Sequence, residues 1–165
     1  MKTIKFLTVL VMSLAIITLN SCKKKDVKPA YSITATVDGK VTSFNTNAAA
    51  VSATVQGLSL TTITGQAADG TTISIILNST PTAGKTYIFT ASDWADQAVV
   101  DILTPSAEFA NSPGSSNVVT VTVNAVSSTA IQGTFKGDLE SRPGSNPPLA
   151  LKSVTNGTFN VSYSK

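Results

Sequence analysis

Tyr31-Ser32-Ile33-Thr34-Ala35-Thr36-Val37-Asp38-Gly39-Lys40 is the stretch that decides the fold. Ile33, Ala35 and Val37 alternate with Ser32, Thr34 and Thr36, the period of two that a half-buried strand requires. Asp38-Gly39 then offers the two residues that tolerate positive φ at the centre of a tight hairpin turn. A strand followed at once by a reversal predicts antiparallel pairing, with one face buried and the other wet.

The same pattern recurs down the chain. Ile73, Ile75 and Leu77 alternate with Thr72 and Ser74. Val119, Val121, Val123 and Ala125 alternate with Thr120, Thr122 and Asn124, and Phe159, Val161 and Tyr163 with Asn160 and Ser162. Residues 31–165 are rich in Thr, Ser and Val and poor in Leu, Glu and Lys. β-branched side chains suit a pleated surface and lose rotamer freedom in helices. No stretch keeps an apolar stripe of helical period for three turns.

Turn chemistry falls between these runs. Ala68-Asp69-Gly70 precedes residues 71–77, and Asn156-Gly157 is expected to separate a strand at 149–154 from one at 158–163. Residues 80–84, 111–115 and the proline-rich 141–148 read as further breaks. The expectation is an all-β domain over residues 31–165, an antiparallel β-sandwich of about eight to ten short strands. A closed β-barrel is the alternative.

Upstream of Tyr31 the chain reads differently. Met1-Lys2-Thr3-Ile4-Lys5 is a basic start and residues 6–19 an apolar run, the parts of a signal peptide spanning residues 1–21. The run is too short to cross a bilayer comfortably, which takes about 20 residues. Leu19-Asn20-Ser21-Cys22 resembles the lipobox of bacterial lipoproteins. That resemblance implies cleavage between Ser21 and Cys22 and acylation of the Cys22 sulfur. Cys22 is the only cysteine, so no intramolecular disulfide can form. Residues 22–30, with Lys23, Lys24, Lys25 and Lys28, form a hydrated tether able to lie near anionic headgroups. The net charge of +3 therefore belongs to the leader and tether, because residues 31–165 carry six basic and eight acidic side chains. No nucleic-acid partner is implied.

Five motifs occur in order: residues 31–40 (Y-S-I-T-A-T-V-D-G-K), 70–77 (G-T-T-I-S-I-I-L), 84–87 (G-K-T-Y), 131–135 (I-Q-G-T-F) and 155–159 (T-N-G-T-F). Together they resemble a family of small all-β cell-envelope lipoproteins common in the Bacteroidota. The resemblance covers essentially all of residues 31–165. It implies a fold and a lipid-anchored envelope location, and it brings no activity and no catalytic residues. Lipoproteins sent to the surface of such bacteria typically carry acidic residues after the cysteine. The lysines here point instead to the periplasmic face of the outer membrane.

Histidine is absent, which removes the commonest general base and transition-metal ligand. Ser-His-Asp and Cys-His catalysis and His/Cys zinc sites are excluded with it. Asp38, Asp69, Asp93, Asp96, Asp101, Glu108, Asp138 and Glu140 remain. Asp38 and Asp69 precede glycines and read as turn residues. A glycosidase would need two carboxylates converging on a cleft. There is no calcium loop and no phosphate-binding glycine loop, so neither a metal nor a cofactor is expected. Ser92-Asp93-Trp94-Ala95-Asp96-Gln97 sets the only tryptophan beside two carboxylates and an amide. Trp94, Asp93 and Asp96 are the candidate ligand-binding residues, with Trp94 as a cap of the apolar core the competing role. The expected protein is a non-enzymatic module that holds membrane lipid through Cys22 and binds an envelope protein or a glycan. A hydrolase using carboxylates alone is the alternative.

Overall fold

The computed structural model describes residues 31–89, 97–111, 118–141 and 150–164. Eleven strands follow in order: β1 (Ser32–Val37), β2 (Lys40–Ser43), β3 (Thr46–Val55), β4 (Leu58–Gln66), β5 (Thr72–Leu77), β6 (Thr86–Ile88), β7 (Ala98–Leu103), β8 (Glu108–Ala110), β9 (Thr120–Val126), β10 (Ala130–Ser141) and β11 (Leu151–Ser162). Among the described residues there is no helix, and so none long and apolar enough to cross a membrane. The all-β, antiparallel expectation holds.

The strands form one hydrogen-bonded sheet, ordered β2-β1-β11-β10-β8-β7-β5-β4-β3. It curls into an open half-barrel, so the two layers expected of a sandwich are halves of one surface. Strand β10 is the branch point, paired on both sides. One side of it pairs with β11 from Ala130 to Glu140. Its other side takes β9 at Ile131 to Lys136 and β8 at Glu140 and Ser141, and β6 continues from β9. The core lies inside the curl, where Ile33, Phe44, Ile63, Ile73, Ile75, Tyr87, Val121, Ile131, Phe135 and Phe159 are buried in one cluster.

Asp38 and Gly39 take φ of 49° and 80° and close the β1–β2 hairpin as their residue types require. A second turn of the same kind, Gln56-Gly57 with φ of 51° and 82°, joins β3 to β4. The sequence signal there is weaker, because glutamine is not a usual positive-φ residue.

Asn156-Gly157 corrects the expectation. It makes no turn; β11 runs straight through it from Leu151 to Ser162. Phe135 pairs with Gly157 and Gly137 with Val154, so two steps on β10 oppose three on β11. Asn156, at φ 51°, occupies the extra position of this β-bulge. Gly157 is needed for closeness rather than for its dihedrals. A Cβ there would lie 2.4 Å from the Phe135 carbonyl oxygen and 2.7 Å from its ring.

The reciprocal contact lies two pairs along the same ladder. Gly133 pairs with Phe159, and a Cβ on Gly133 would fall 2.3 Å from both the Phe159 ring and the Thr122 carbonyl oxygen. The repeated G-T-F of residues 133–135 and 157–159 thus folds on itself with Thr134 opposite Thr158. Each phenylalanine covers the other strand's glycine, and the two rings stack at 6.5 Å. This is the packing job those motifs perform.

Candidate functional site

The strands give the molecule two ends. At one, β1 begins opposite Asn160 near the end of β11. At the other, the β1–β2 turn, the start of β11, the β4–β5 turn and the β7–β8 turn come together around an open cleft of about 460 Å³. Phe44 and Ile102, both buried, form its floor, and Thr42, Thr71 and Thr104 place hydroxyls on its walls. Asp38, Lys40, Asp69 and Lys152 supply its charges, two of each sign.

Most of that charge is fixed in place. Lys152 Nζ donates to Asp38 Oδ2 at 2.9 Å and lies 4.6 Å from the centre of the Phe109 ring. Asp38 Oδ1 accepts the Ser153 backbone N–H at 2.9 Å, so the turn and the first residues of β11 are tied by side chain and main chain alike. Asp69 Oδ1 accepts the Thr71 N–H at 3.0 Å. That N–H holds the Asp69 carboxyl below the usual carboxylate range, with the Thr71 hydroxyl and the Lys40 charge acting in the same direction. The result is a rim of oriented donors and acceptors over an apolar floor, with formal charges that cancel. Such a site suits a neutral polar molecule better than an ion.

The remaining sequence candidates divide in two. Ser21, Cys22, Asp93, Trp94 and Asp96 lie outside the described residues. Asp101, Glu108 and Glu140 fall on neighbouring strands, with Ala110 in register between Asp101 and Glu140. The cleft is lined by Asp38 and Asp69, not by these three. Among the described residues no group of three His, Cys, Asp or Glu side chains could hold a metal ion.

The sequence marks Asp38 and Asp69 only as turn residues and gives no sign that they line one cleft. Each Asp-Gly turn ends a hairpin, and only the curl of the sheet brings the two ends together. On the outer face, Thr34 and Thr158 share a hydrogen bond at 2.8 Å, and Thr86 and Thr122 share one at 3.0 Å. These hydroxyls satisfy each other and read as a cross-strand ladder. No protein-family model, curated protein or solved structure matches the chain.

Proposed function

We propose that the chain is a non-enzymatic, lipid-anchored module of the cell envelope. Acyl chains on Cys22 hold it at the periplasmic face of the outer membrane, and the cleft takes an uncharged, hydroxyl-rich ligand of glycan type. The observation that carries this reading is the polarity of the domain. The chain enters at the start of β1, and the cleft opens at the opposite end, past Val37 and Asp38. A tether at Tyr31 therefore leaves the cleft facing away from its attachment.

The chemistry of the rim favours binding over hydrolysis. A glycosidase needs one carboxylic acid that stays protonated near neutral pH. Asp69 is shifted the other way, and Asp38 is engaged by an ammonium and a backbone N–H.

Two measurements test the two halves of the proposal. Mass spectrometry of the mature protein should find acyl chains on Cys22, and Cys22→Ala should abolish them; an unmodified wild-type cysteine refutes the anchor. Neutral oligosaccharides titrated into isotope-labelled protein should shift the amide resonances of Thr42, Thr71 and Thr104. Asp69→Asn with Lys40→Met should weaken that response. Shifts confined to other residues, or release of reducing ends from the sugar, would refute the cleft as a binding site without catalysis.

A further inference from the structure

The β3–β4 hairpin is built inside out. Ala50 and Ile63 pair across it with both side chains buried. By alternation Ser52, Thr54, Ser59 and Thr61 share their inward face, while Val51, Ala53, Val55, Leu58 and Leu60 point outward. Ser52 and Thr61 join their hydroxyls at 2.8 Å on the inner side. The outer side exposes Val51 by 50%, Val55 by 51% and Leu58 by 61%. Strand β5, paired with β4, has an apolar inner face instead: Ile73, Ile75 and Leu77 are buried, with Thr72, Ser74 and Ile76 on the other face.

The hairpin also projects. Tyr163 bridges Ala50 in parallel, and Ser164 donates its N–H to the Ala50 carbonyl at 2.8 Å. Beyond that bridge β3 continues for five residues in the direction in which β11 ends, about 16 Å at a strand's rise per residue. Every residue from 51 to 58 is exposed. This finger stands at the end where the chain enters β1. No residue between Val41 and Ala68 is charged.

We propose that the outer face of this finger lies in the headgroup region of the membrane to which Cys22 is anchored. The inference rests on the anchor proposed above. Three observations choose lipid over a protein partner. The finger extends from the same end as the tether, and residues 22–30 reach at most about 30 Å when fully extended. Its apolar face is backed by a polar one, the arrangement of an element lying in an interface plane. It lacks any charge that would have to be desolvated, while Lys23, Lys24 and Lys25 supply attraction to anionic headgroups nearby. The contact would hold the domain upright and the cleft away from the bilayer.

Lipidated full-length protein in phosphatidylethanolamine–phosphatidylglycerol vesicles tests it. With the Cys22 thiol consumed, Leu58→Cys or Val41→Cys carries a single environment-sensitive dye; Val41 is 72% exposed near the cleft end. The dye at 58 should shift its emission to the blue and be quenched several-fold more strongly by doxyl lipids than the dye at 41. Val51→Asp together with Val55→Asp should abolish that difference while the protein still floats with the vesicles. A dye at 58 as aqueous as the dye at 41, on protein that floats, overturns the contact and leaves the anchor standing. A blue shift without doxyl quenching means that a second copy or another protein covers the finger, and also overturns it. Protein that fails to float refutes the anchor and this contact with it.

Discussion

Gly133→Ala should be among the most damaging single-methyl changes in this protein. Gly133 is absent from the positive-φ residues, so alanine meets no backbone penalty there. The cost is overlap alone. The new methyl would sit 2.3 Å from the Thr122 carbonyl oxygen and 2.3 Å from the Phe159 ring. Carbon and oxygen approach to about 3.3 Å at closest, so β9 and β10 must part by roughly 1 Å. Overpacking of a buried site typically costs 1–3 kcal/mol, and two rigid neighbours place this one near 3. The Phe159→Ala truncation should cost about 3–5 kcal/mol by leaving a void. The double variant decides the mechanism. Removing the ring relieves one overlap, so the two effects should fall short of additivity by about 1 kcal/mol or more. Urea unfolding followed by β-sheet circular dichroism gives all four stabilities. A Gly133→Ala protein within about 0.5 kcal/mol of wild type would refute the close approach.

Other outcomes follow from the same structure. Asn111 is buried with its Oδ1 accepting the Val100 N–H at 2.7 Å and its Nδ2 donating to the Ala98 carbonyl at 3.0 Å. Asn111→Ala leaves both backbone groups unsatisfied and should lower stability by about 2–4 kcal/mol in the same unfolding assay. Lys152→Met should cost no more than about 1 kcal/mol, since one surface ion pair and one cation–π contact are lost; a loss that does not shrink in high salt would contradict that account. The Asp69 carboxyl should titrate below the usual aspartate range by carbon-13 NMR. Because its folded pKa is depressed, its contribution to stability is present above the unfolded value and lost as pH falls through the folded one. Thr71→Pro, which removes the donor N–H, should bring the midpoint back up. Burial pushes the Tyr163 hydroxyl above the ordinary tyrosine value. Its contribution is therefore complete below the unfolded pKa and lost as pH rises through the folded one, and Tyr163→Phe should flatten that alkaline limb of stability.

Period-two alternation made β1, β5, β9 and the end of β11 legible, because a half-buried strand writes its faces directly into the chain. The failures have physical causes as definite as the successes. Asn156-Gly157 carries the residues of a turn, yet the ladder with β10 continues and the positive φ of Asn156 is absorbed as a bulge. A single sequence cannot separate these two, since both call for the same dihedral. Gln56-Gly57 made a turn without the usual first residue, because β3 and β4 have eight residue pairs behind it to hold the reversal. The cleft was illegible because Asp38 and Asp69 become neighbours only through the curl of a sheet in which β1 and β4 are far apart.

The pairing of β1 with β11 joins the first of the described strands to the last of them, with Ser32 opposite Asn160. While the polypeptide is being synthesised, the N-terminal hairpin has β2 on one flank and nothing on the other. Ile33 and Ala35 then have no Phe159 or Val161 to pack against. A contact this distant in sequence forms late and slowly, because loop closure must precede any reward from it. The nascent domain thus stays uncommitted until the twelve residues of β11 emerge. For the exported, lipid-anchored protein proposed above that delay is an advantage, because it keeps the polypeptide open enough to be threaded through a narrow channel until β11 follows.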